Sequence, residues 1–262
     1  MTMADAKVLT ERRGTTFVVT INRPDVRNCV DGETAQLLND AADVFRDDDT
    51  LSVMILTGAG YLSFCSGADL KAIETLSTRP NARQSGPMGV SRITNLGKPV
   101  IGAINGYCIA GGLELACWCD FRIASQNAQF GVLNRRWGVP LVDGSTQRLP
   151  RIVGVGNALY LIETGALIGA DHAMRIGLVQ EVVPGNQMLD RAFVVAEAMG
   201  RYPQRAMRRD RQAVLEGLTL PIDDGLANEA RIHHDTAADP EMADWLRRYA
   251  AGDRPQPFRP PS

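Results

Sequence analysis

Apolar and polar residues alternate over 7–11 and again over 16–21, on either side of Arg13-Gly14. This period of two predicts an opening β-hairpin, which Arg23-Pro24 ends. Over 31–46 the spacing lengthens: Leu37, Leu38, Ala41, Ala42 and Phe45 share one helical face, Asp31 stands where a cap belongs, and a strand follows at 53–57. A helix is expected at 71–76, whereas 77–89, with Pro80, Pro87 and two glycines, has the makeup of a mobile stretch. The apolar run 100–104 predicts a central strand that breaks into a glycine-bearing turn and restarts as the helix carrying Glu114. Short strands at 121–124 and 128–131 precede an irregular loop over 134–144 that holds Arg135, Arg136, Trp137 and Pro140. Helices at 146–153, 155–164 and 170–176 and a strand at 179–183 come next; from 188 onward the pattern is helical, over 188–199, 203–216, 224–236 and 242–251, with a loose tail at 252–262. Strands first and helices last predict a mixed α/β domain with a helical C-terminal part.

Two stretches carry candidate chemistry. In Ile104 to Glu114 a strand gives way to a helix through Gly111-Gly112, and the first amides of a helix lack partners while its dipole favours negative charge there. Glu114, one turn in, is placed to act as a general acid or base on whatever those amides hold. A second strand-turn-helix pattern lies upstream in Ser63-Phe64-Cys65-Ser66-Gly67-Ala68-Asp69-Leu70, where Gly67 permits an unusual backbone angle and Asp69 can cap a helix. Two such turns offer two amide donors, as an oxyanion hole requires.

Composition narrows the alternatives. With 262 residues, 45% hydrophobic and 22% charged, the chain has the makeup of an ordinary globular protein. A net charge of -2 opposes sequence-independent nucleic-acid binding. The apolar runs are too short for a membrane span and the N-terminal residues lack an apolar signal core, so a cytoplasmic location is expected. Five cysteines, four of them (Cys65, Cys108, Cys117 and Cys119) in expected buried segments, fit reduced thiols. No metal is expected: Cys117 and Cys119 point to different helix faces and no histidine is near. Gly154-Val155-Gly156 lacks the third glycine of a dinucleotide fingerprint, and His172, His233 and His234 fall outside both motifs.

The two turns, followed by Gln129-Phe130-Gly131 and Thr146-Gln147-Arg148-Leu149-Pro150 in that order, resemble the enoyl-CoA hydratase/isomerase (crotonase) family over nearly the whole chain. The resemblance implies an α/β fold, a crotonase-like spiral of β-β-α turns over 1–200, with a helical C-terminal trimerisation region over 201–262. It implies a CoA thioester whose carbonyl oxygen becomes enolate-like and is held by the amides of Ala68 and Gly111. Ser66, Ala68, Asp69, Leu70, Lys71 and Gly111 are then expected to border the CoA ester, and Arg27 to reach its pantetheine or pyrophosphate. No cofactor is implied beyond the coenzyme A of the substrate, and the implied assembly is a homotrimer or a dimer of trimers.

Glu114 matches one of the two catalytic glutamates of the hydratases, but the second position holds Asn134, whose amide exchanges no proton at neutral pH. Three readings follow: Glu114 works alone, with Asn134 at most orienting water; Asp143, in the nearby loop, supplies the second carboxyl; or catalysis is lost. Asp143 before Gly144 is equally suited to being a turn residue. If the missing carboxylate limits hydration, Asn134→Glu is expected to raise it. The expected activity is that of an enoyl-CoA hydratase-like lyase, followed by a single-carboxylate isomerase and then by a non-catalytic acyl-CoA-binding protein.

Overall fold

The computed structural model describes residues 6–259, so the expectations for the first five residues and for the end of the tail lie outside the described residues. The strands are β1 (Val8–Arg13), β2 (Thr16–Ile21), β3 (Val53–Gly58), β4 (Ser63–Cys65), β5 (Val100–Ile104), β6 (Tyr107–Ile109), β7 (Phe121–Ser125), β8 (Gln129–Gly131), β9 (Leu167–Gly169) and β10 (Glu181–Val183). They form a six-stranded sheet in the order β1-β2-β3-β5-β7-β10 and a four-stranded sheet in the order β4-β6-β8-β9. The first sheet is parallel except for its edge hairpin, the second except for β9. Three times in succession the chain lays one strand in the large sheet and the next in the small one, as β3 then β4, β5 then β6, and β7 then β8. This alternation is the expected spiral.

The helices are α1 (Gly32–Asp47), α2 (Glu74–Thr78), α3 (Ala82–Ser85), α4 (Gly111–Trp118), α5 (Ser145–Val153), α6 (Val155–Thr164), α7 (Ala170–Arg175), α8 (Met188–Gly200), α9 (Gln204–Gly217), α10 (Ile222–Ile232) and α11 (Pro240–Ala250). Every residue of β3 and β5 is buried, because both faces of the large sheet are covered; hence their unbroken apolar runs. On one face Leu56, Phe64, Ile104, Leu115 and Phe130 join the sheets and α4 into the main core, and on the other α8 sets Met188, Ala192, Val195 and Ala196 against Val53, Ile55 and Ile101.

Several local expectations change. Asp69 caps no helix: α2 begins only at Glu74, and Asp69 instead accepts a hydrogen bond from Arg23 Nη2 at 2.9 Å and one from the Lys71 amide at 3.2 Å. The 77–89 stretch is folded, with α3, a buried Ser85 and a buried Met88; the Arg79 guanidinium gathers it by donating to Ser85 Oγ at 2.7 Å and to the Gly86 carbonyl. On α9, Arg205 and Arg209 pair with Asp235, and Arg211 grips Asp120 through two bonds of 2.8 and 2.9 Å. These arginines bind the late helices to one another and to the core.

Candidate functional site

The two turns meet back to back. Val30 forms a short parallel bridge across the first: its amide donates to the Gly67 carbonyl at 2.9 Å, and its carbonyl accepts from the Asp69 amide at 2.8 Å. In extended chain the intervening residue points the other way, so the Ala68 N–H faces away from Val30. Gly67 has φ of 93°, and a Cβ there would lie 2.9 Å from the Gly111 amide nitrogen. A Cβ on Gly112 would lie 2.0 Å from the Cys65 carbonyl oxygen, which only glycine avoids.

Gly111 opens α4, whose first internal bond runs from the Glu114 amide to the Ala110 carbonyl at 3.2 Å. The Gly111 amide therefore has no place in the helical ladder. Ala110, just before it, has φ of 53° and ψ of -125°, a conformation that costs a non-glycine residue on the order of 1–3 kcal/mol. Among the described residues, neither the Ala68 nor the Gly111 amide donates to a protein acceptor.

Both amides border a cavity of about 650 Å³ whose walls include Leu76, Met88, Leu133, Trp137, Val139 and Val142. Glu114 lies at this cavity and is 2% exposed; its Oε1 accepts from the amides of Asp143 at 2.9 Å and Ser145 at 3.0 Å. Burial raises its pKa to about 7, against the opposing pull of the Ser145 amide and with the Asp143 charge adding to the rise. Asp143 is also buried. Its Oδ1 accepts from the Met88 amide at 3.0 Å and from Ser91 Oγ, and burial raises its pKa despite those donors and the charges of Arg92 and Arg79.

Asn134 lines the same cavity but is braced within its own loop, its Nδ2 donating to the Val139 carbonyl at 2.7 Å. Its Oδ1 is enclosed, with no donor among the described residues. Asn134→Glu would give up the bond to the Val139 carbonyl, since a carboxylate has no N–H to donate.

Of the residues singled out by sequence, Ser66, Ala68, Asp69, Leu70, Lys71, Gly111, Glu114, Asn134 and Asp143 converge on this cavity. Arg27 is outside its lining, exposed, with its guanidinium 5.3 Å from the centre of the Tyr107 ring. Met88 and Ser91, which hold Asp143, were missed: Met88 lies in the stretch expected to be mobile, and Ser91 just beyond it in a segment to which no role was given. The strained Ala110 was missed because alanine carries no sign of its backbone angle. All five cysteines are free thiols, and among the described residues no group of three or more His, Cys, Asp or Glu is disposed to hold a metal ion. No helix there is long and apolar enough to cross a membrane.

A spiral of paired parallel sheets, with two glycine turns meeting beside a buried carboxyl, defines the crotonase class of fold. The enoyl-CoA hydratase/isomerase family model matches residues 11–256. A crotonyl-CoA hydratase from Syntrophomonas wolfei is 39% identical over 231 residues, 87% of this chain and 88% of that protein. An (E)-benzylidenesuccinyl-CoA hydratase from Thauera aromatica is 36% identical over 79% of this chain and 82% of its own. Among solved structures, an enoyl-CoA hydratase from Mycobacterium marinum superposes with a TM-score of 0.89 at 30% identity, covering 95% of this chain and 98% of its own. The chain belongs to the enoyl-CoA hydratase/isomerase family.

Proposed function

We propose that this protein is an enoyl-CoA hydratase-like lyase that adds water to, or removes it from, a CoA-bound enoyl group with Glu114 and Asp143 as its two carboxyls. The observation that carries this reading is that both side chains are buried at one cavity, with the Asp143 amide bonded to Glu114 Oε1 and both pKa values raised. The Ala68 and Gly111 amides hold the thioester oxygen as charge develops on it, a contribution of roughly a hundredfold or more per donor in such sites. One carboxylate takes a proton from water as the new C–O bond forms at C3, and the other carboxylic acid gives its proton to C2. Water is thereby consumed whole, and the pair ends with as many protons as it began with. Because the two groups interact, the roles belong to the pair.

On this reading Asn134 braces the loop that presents Asp143, and the second proton-exchanging role rests with Asp143. Ser66, Asp69, Leu70 and Lys71 border the CoA ester, with Arg27 reaching its outer part, and no cofactor is needed beyond the substrate's own CoA. A cytoplasmic location is supported by the free thiols. The test is mass spectrometry of products from a panel of enoyl-CoAs. Gain of one water supports the hydratase; unchanged mass with a shifted double bond supports the isomerase, in which Glu114 acts alone; binding without turnover supports an acyl-CoA-binding protein.

A further inference from the structure

We infer that Arg23 is a positioning residue for the Ala68 amide, acting from outside the cavity by clamping both sides of the short bridge that frames it. This rests on the proposed use of that amide to hold a thioester oxygen. The Arg23 side chain is 16% exposed and is absent from the cavity lining. Its Nη1 donates to the Cys29 carbonyl at 2.6 Å, and its Nη2 reaches Asp69 Oδ2 at 2.9 Å and Asp31 Oδ2 at 3.2 Å. Cys29 and Asp31 flank Val30, and Asp69 follows Ala68, so one planar guanidinium spans the two segments whose pairing turns the Ala68 N–H outward.

The clamp is itself fixed at both ends. The Arg23 amide donates to Asn28 Oδ1 at 2.9 Å, while Asn28 Nδ2 holds the Ala59 and Ser63 carbonyls at 3.0 and 2.7 Å. Asp31 caps α1 through the Thr34 amide at 2.9 Å and pairs with Lys7 at 2.7 Å. Burial works to raise the Asp31 carboxyl, but Lys7, the Thr34 donors and Arg23 together bring it down to about 2. Without Arg23, Asp69 loses the guanidinium bonded to its Oδ2, Asp31 keeps only the charge of Lys7, and among the described residues no side chain ties the Cys29–Asp31 segment to Asp69. The framing of Ala68 then loosens at the place where donor geometry matters most, since an amide serves a developing oxyanion only when it is already aimed.

The prediction separates positioning from mere stability. In Arg23→Gln, kcat for hydration of a short enoyl-CoA falls about tenfold to a hundredfold, while KM stays within about twofold. The bound thioester gives a direct signature: difference infrared spectroscopy reads how far its carbonyl stretch is lowered by the donors it meets. That lowering shrinks in Arg23→Gln at full occupancy of the site. Arg23→Lys, which keeps a charge between Asp31 and Asp69 but cannot span all three acceptors, serves if the glutamine variant fails to fold, and its shift lies between. An unchanged carbonyl stretch in folded, ligand-saturated variants overturns the inference, even if Tm falls. Inactive wild-type protein counts against the hydratase reading instead, and the carbonyl shift, which needs only binding, still decides the role of Arg23.

Discussion

A buried carboxyl with a pKa of about 7 can give or take a proton at neutral pH, and for Glu114 that property has a thermodynamic cost that can be read separately from catalysis. Between the ordinary value of 4.5 and about 7 the folded state binds more protons than the unfolded chain. Stability is therefore expected to fall as pH rises through that window, by on the order of 3 kcal/mol, and then to level off. Urea unfolding at pH 5 and pH 8 should show a smaller difference for Glu114→Gln than for the wild type, since glutamine has no charge to bury. The second carboxyl makes its own prediction. Asp143→Asn is expected to lower hydration by about a hundredfold, while Asn134→Glu, which removes the donor to the Val139 carbonyl, is expected to reduce stability without raising hydration; paired rate and unfolding measurements check both. The two turns and Glu114 were legible in sequence because glycine turns between apolar runs have a local mark, whereas Ala68 and Gly111 were picked out within them as donors by the family resemblance. The support of Asp143 by Met88 and Ser91, more than fifty positions away, left no such mark, because hydrogen bonds across the fold follow no local period.

At the scale of elements, the long ones were legible, and β8 and β10 fall within the strands expected at 128–131 and 179–183, but other short strands were not legible. β2 and α6 occupy the expected residues, and α1 begins at its Asp31 cap, because six or more residues give a period room to show. β4, β6 and β9, at three residues each, are too short for any alternation and exist because the preceding or following turn delivers them to the small sheet. The junction of β4 and α4 is correspondingly exacting. With a Cβ at Gly112 falling 2.0 Å from the Cys65 carbonyl, Gly112→Ala has to push α4 off the strand and carry Gly111 and Glu114 with it. The expected result is a loss of about 3 kcal/mol or more in thermal unfolding, together with loss of hydration at temperatures where the variant is still folded.

For the whole molecule, the late helices cover little of their own chain's core. α9 and α11 bury no residue fully, and Val214, Leu218, Ile222 and Leu226 stand exposed on α9, α10 and the segment between them. That is more apolar surface than a terminal layer needs, and it supports a division in which 201–262 serves contact between subunits and the preceding residues form the spiral. The expected assembly is a trimer or a dimer of trimers at micromolar concentration, and a monomer in light scattering would refute it. The central claim, that this cavity hydrates an enoyl-CoA through the exchangeable proton of Glu114, has a more direct test in the hydration rate of Glu114→Gln with binding measured alongside. The account predicts a fall in kcat of roughly a hundred- to ten-thousandfold with affinity for the CoA ester nearly unchanged. Full hydration activity in Glu114→Gln would contradict it.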